Sequence, residues 1–155
     1  MLGLSTVEFF GRLIPEVLIL IFAAYSFSKT KIDCKKYTIS VIVLATCVFI
    51  IRKSPINYGV HTILNIIALT VVATSINKIE IIGAIRSSII TTILLFALEG
   101  INVILLQITV ADKLDAIVAN STLKTIYTLP SIISLALIVY LYYNIMKRND
   151  KLKNV

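Results

Sequence analysis

Only eight acidic residues, two cysteines, one histidine and five glycines occur among 155 residues. Each scarcity removes a class of protein. Two cysteines, Cys34 in a basic segment and Cys47 in an apolar run, make neither a disulfide framework nor a zinc site. The plain reading is a free thiol and a small core residue. Nothing follows the His/Cys/carboxylate spacing of a metal centre, no glycine-rich phosphate loop is present, and no nucleophile elbow occurs. No metal and no cofactor are expected. Charged residues are also few, at 15% against about 25% in soluble domains.

What is abundant is apolar. Hydrophobic residues make up 58% of the chain and the mean hydropathy is +0.96. The expected fold is all-α, a polytopic transmembrane helix bundle with about five spans. It forms a single membrane domain over residues 1–146, with a short basic tail over 147–155. The net charge of +7 is not a nucleic-acid signal. The cations gather at Lys29–Lys36, around Arg52–Lys53 and at Lys147–Lys153. Short basic clusters flanking apolar runs mark cytoplasmic loops and anionic headgroups. The partner implied is the lipid bilayer, with no nucleic acid.

The stretch Ile85–Gln107 is the one around which the other spans are expected to arrange. It is long enough to cross a bilayer, yet it contains Glu99. On a 3.6-residue period Ser88, Thr92, Glu99 and Asn102 fall near one stripe. An immersed carboxylate is costly unless it faces protein or water.

In order, the first span is expected over Ser5–Phe27. Ser5 and Glu8 form a capping-box pattern, and Pro15 is a candidate kink. Glu8, Arg12 and Glu16 recur at i, i+4 spacing and can pair along one face. Either only Glu16 is immersed or the three make a buried charged stripe. No cleavable signal peptide is expected, because these charges interrupt the apolar core. The second span covers Tyr37–Ile51, short for the ~20 residues a crossing needs. The third runs Tyr58–Ile76 and carries His61 and Asn65. After a polar connection at Ser75–Glu80, the fourth runs from about Ile79 to Gln107. Ala111–Ser121 is the most polar inter-span stretch. The last span covers Leu123–Ile145, with Pro130 inside it and tyrosines 140, 142 and 143 as an interfacial belt. The tail is expected to fray.

The positive-inside rule places the N-terminus outside and the C-terminus in the cytoplasm of a multi-pass cell-membrane protein. Arg52-Lys53 is the exception, on the outer side. At about 1.5 Å per residue, Glu99 lies about 12 Å below Gln107 and Asn65 about 10 Å below Tyr58. Arg12, Glu16, Arg52, His61, Asn65, Glu99 and Asn102 therefore all fall in the outer half. They are the candidate ligand-binding residues, lining a polar pocket that opens outward. The competing reading is that they satisfy one another between helices, contacts worth about 0.6 kcal/mol each. No catalytic residue is assigned. Cys47 and His61 flank one turn, but nothing around Cys47 lowers its pKa, which weighs against a cysteine peptidase.

RKSPINYGVHTILNII, from Arg52, and INKIEIIGAIRSSIITTILLFALEGINVILL, ending before Gln107, resemble the membrane sensor region of clostridial sensor histidine kinases of the accessory-gene-regulator type. The likeness runs from the first span to Pro130-Ser131 and rests on the pattern of spans and polar positions. It implies recognition of an extracellular peptide in quorum sensing, and a six-span count where the residues suggest five. The chain departs from that pattern in lacking a phosphoacceptor-His segment and ATP-binding glycines. The likeness therefore implies a free-standing sensor-like module, either a regulator that pairs with a sensor kinase or a relic; a homo-oligomer is the other partner to expect. With the Ile/Lys/Asn-rich style, it also points to a low-GC Gram-positive membrane. The neighbouring peptidase family places a Cys after its His; here Cys47 precedes His61 and Ala68 stands at that place. The expectation is a non-enzymatic receptor-like protein in signal transduction. A small-solute transporter subunit is the main rival, and a structural or immunity-type protein the third reading.

Overall fold

The structure, a computed structural model, describes residues 9–54, 58–109, 121–150 and 152–153. The described residues form helices and their connections. Helix α1 is Ile14–Phe27, entered through a π-helical turn at Phe9–Leu13. Helices α2 (Cys34–Lys53), α3 (Tyr58–Ser75), α4 (Ile81–Thr109) and α5 (Ser121–Arg148) follow. Three segments, Cys34–Lys53, Ile81–Thr109 and Thr125–Arg148, are long and apolar enough to cross a membrane. The Ser5–Glu8 capping pattern, the Ala111–Ser121 connection up to residue 120 and the turn at Pro55 lie outside the described residues.

The local chemistry explains the boundaries. Pro15 sits at the start of α1, where its missing N–H needs no partner. The helix changes from π to α there. At the other end Lys29 adopts φ 57°, and the Thr30 N–H donates to the Tyr25 carbonyl at 2.9 Å, a left-handed C-cap. The second helix begins earlier than expected. The Asp33 carboxylate accepts from the Lys35 and Lys36 N–H groups at 3.0 and 3.4 Å. That cap draws Cys34–Lys36 out of the expected basic loop and into α2. The last helix likewise runs on through Lys147 and Arg148, past the expected limit at Ile145. Beyond it Asp150, at φ 49°, turns the chain, so Lys153 is held where a loose tail was expected. Lys153 then pairs in parallel with Thr30, through N–H···O bonds of 2.7 Å to Lys29 and 2.9 Å from Lys31.

The axis of the bundle is α1, not the Ile85–Gln107 stretch. Helix α1 packs against each of the other four, which lie side by side in the order α2, α3, α4, α5. Eight of its fourteen residues are buried, among them Val17, Ile21, Ala23, Ala24 and Ser26, so it is enclosed on several faces. Its small residues let neighbouring backbones approach. Helix α4 buries one face only, Ala84, Ser87, Ser88, Thr91 and Leu95. The core joins Leu13, Val17 and Ile21 to Leu44, Val48, Leu69, Leu95, Leu135 and Val139. Outside, Ile42, Ile63, Ile93, Ile104, Ile133 and Leu141 are exposed, an apolar girdle suited to hydrocarbon.

Side-chain bonds set the heights of the helices. The Thr70 hydroxyl donates to Ser88 Oγ at 3.1 Å, pinning α3 against α4. Ser40 donates to Asn77 Oδ1 at 2.5 Å, tying α2 to the α3–α4 connection. Phe22 and Phe27 pack against Tyr143 and Tyr142 in tilted ring contacts, with centroids 5.5 and 5.1 Å apart. One end of the bundle therefore holds the α1–α2 loop, the α3–α4 connection and the tail. The other holds the starts of α1, α3 and α5 and the end of α2.

Candidate functional site: a chain of four charges

At that second end four charged side chains from three helices form one line. Arg12, in the π-helical turn, donates from Nη2 to Glu99 Oε1 on α4 at 2.7 Å. Arg52, in the last turn of α2, donates from Nη2 to both oxygens of Glu16 on α1, at 2.7 and 2.6 Å. Arg12 Nε lies 3.9 Å from Glu16 Oε2 and joins the two pairs. The order is Glu99, Arg12, Glu16, Arg52: alternating signs and no net charge.

The two halves differ. The Glu16 side chain is 8% exposed and is gripped twice, so removing its partner strands a charge in a dry place. Arg12 and Glu99 are 22% and 26% exposed and share one close contact. Arg12 Nε is enclosed without a hydrogen-bond partner. The Arg12–Glu99 half is the looser and more accessible. The i, i+4 spacing of Arg12 and Glu16 gives only the long 3.9 Å contact; each finds its short contact on another helix.

The other candidates divide. Asn102, on α4, donates from Nδ2 to the Tyr127 carbonyl on α5 at 2.7 Å. Pro130 lacks the N–H that would bond the Ile126 carbonyl, so this bond lies one residue from the gap in the α5 ladder. Asn102 is thus tied to α5, apart from the charges. His61 and Asn65 are half-buried on α3. The Thr70–Ser88 bond sets an antiparallel register that puts His61 level with Ala97, within a turn of Glu99, and Asn65 a turn deeper. Asn65 Oδ1 is enclosed with no partner. In the expected stripe, Thr92 spends its hydroxyl on the Ser88 carbonyl at 2.8 Å. The buried Ser40–Asn77 pair was not foreseen: Asn77 reads as loop, yet it is 1% exposed. Among the described residues no three His, Cys, Asp or Glu side chains gather as a metal site.

No protein-family model, no curated protein and no solved structure matches the chain.

Proposed function

We propose that all five helices cross the membrane and that the charge chain faces outward as the recognition site of a non-enzymatic, receptor-like protein. Helix α3 has 18 residues, about 27 Å of rise, close to the ~30 Å hydrocarbon thickness. Helix α1 with its π-helical turn adds five residues to fourteen, and as the enclosed axis it needs no lipid-facing surface. The Lys29–Lys36 segment and Lys153 share one end, which the positive-inside rule assigns to the cytoplasm, with Arg52 and Lys53 the exception at the other.

The observation that carries the reading is the accessible, singly bonded Arg12–Glu99 pair. A ligand bearing a cationic group competes with Arg12 for Glu99. Arg12 Nε and Asn65 Oδ1 are further polar atoms without a hydrogen-bond partner. An extracellular peptide suits such a site, in keeping with the resemblance to peptide-sensing kinases, and displacement of Arg12 would shift α1 against α4. One observation favours a second reading: the four charges are neutral as a set and pair internally, as a clamp holding three helices would.

A panel of synthetic cyclic peptides, tested by thermal shift on the full chain in nanodiscs, separates them. The receptor reading expects a stabilising peptide whose effect is lost in Glu99→Gln while insertion is kept. A stabilising peptide that acts equally on Glu99→Gln removes Glu99 from the site. A panel without effect leaves the clamp as the account.

A further inference from the structure

At the opposite end the chain brings like charges together. Lys29, Lys31, Lys35, Lys147, Arg148 and Lys153 are all exposed. None of them makes an ion pair with a described residue. Two backbone hydrogen bonds hold Lys153 against Lys29 and Lys31 and cover Thr30, which is buried. Of the nearby acids, Asp33 is engaged in capping α2 and Asp150 occupies the left-handed turn. Lys35 stands in the first turn of α2, where the helix dipole disfavours a cation. Such an arrangement repels itself unless an anion faces it. The surface also borders the apolar girdle, with Ile39, Ile42, Leu141 and Ile145 exposed beside it.

We propose that the α1–α2 loop and the returning tail together form one binding surface for anionic phospholipid headgroups, with the Lys153 backbone pairing as its clasp. The surrounding girdle favours a lipid over a soluble anion, because the headgroup is then presented at the height of the lysines. This inference rests on membrane insertion and is independent of the charge chain at the other end.

The test is native mass spectrometry of the full chain released from vesicles of phosphatidylcholine with one quarter phosphatidylglycerol, counting retained lipids. The unaltered chain is expected to retain phosphatidylglycerol over phosphatidylcholine. Neutralising Lys29, Lys31 and Lys35 singly to Gln is expected to cut retention by about fivefold each, the factor that ~1 kcal/mol per cation near an anionic surface corresponds to. Lys53→Gln, at the other end, is expected to leave it unchanged. Lys153→Pro, which removes both the charge and the N–H, is expected to lose more than Lys153→Gln, which keeps the N–H. Circular dichroism of each variant confirms that the helices remain. Equal loss in Lys53→Gln would show attraction by overall charge and overturn the site. Equal retention in the two Lys153 variants would overturn the clasp. Displacement of the lipid by millimolar inorganic phosphate would make it a soluble-anion site and overturn the lipid assignment.

Discussion

Neutralising Glu16 is expected to unfold the bundle more readily than neutralising Glu99, although both are single carboxylates in one charge chain. In Glu99→Gln the amide oxygen still accepts from Arg12 Nη2, so a charge-assisted bond becomes a neutral one. Charge-assisted bonds contribute about 1.5–3 kcal/mol and neutral ones about 0.5–1.5. The difference is about 1 kcal/mol, and the 22% and 26% exposure of the pair lowers it further. Glu16→Gln leaves Arg52, doubly bonded to Glu16 in the native protein, and Arg12 as neighbouring cations around a side chain only 8% exposed. Stranding a fully buried charge costs about 3–5 kcal/mol, but the arginines left behind are 24% and 22% exposed, so a loss of about 2 kcal/mol is expected. Reversible unfolding by dodecyl sulfate in mixed micelles, followed by circular dichroism, reads both. A double-mutant cycle should give the Arg52–Glu16 pair the larger coupling. Equal destabilisation, or a greater effect at Glu99, would refute the assignment of a tight and a loose half.

Further outcomes concern packing and caps. A Cβ at Gly11 would lie 2.9 Å from Thr125 Cγ2, whereas one at Gly100 meets nothing within 4 Å. Gly11→Ala should therefore cost about 1–2 kcal/mol by overpacking, while Gly100→Ala should gain about 0.5–1 kcal/mol, in the same micelle assay. Ser40→Ala removes the hydrogen-bond donor to buried Asn77 and should cost about 1–3 kcal/mol. Lys78 holds φ 57° after α3, so Lys78→Gly should stabilise by about 0.5 kcal/mol. Asn102→Ala should cost about 0.6 kcal/mol, the mean for an interhelical polar contact.

Much of the architecture was legible because hydrophobic run length is a local property. The third helix was expected over Tyr58–Ile76 and spans Tyr58–Ser75; the first was expected to end at Phe27 and does. Errors came where one polar side chain moved a boundary. Asp33 begins α2 three residues before Tyr37, and Asp150 turns the tail back to Thr30. The pairing of the charges was partly legible. An immersed Glu99 has to face protein or water, and its carboxylate meets Arg12. The sequence favoured Arg12–Glu16 at i, i+4, but local spacing carries no information on a partner 87 residues away. The same limit applies to the axis. The lone carboxylate in Ile85–Gln107 marks one polar contact, whereas enclosure is marked by the small residues Ala23, Ala24 and Ser26 on α1, buried on more than one face.

The central claim is that the charge chain lies at the outward end of a membrane bundle. Single cysteines at Ser54, Asp112 and Asn149, in a background lacking Cys34 and Cys47, test it by labelling intact cells with a membrane-impermeant maleimide. The account predicts that Ser54 and Asp112 label from outside and that Asn149 labels only after permeabilisation. Labelling of Ser54 only from inside would put Arg52, and with it Glu16, Arg12 and Glu99, at the cytoplasmic end, contradicting an external recognition site.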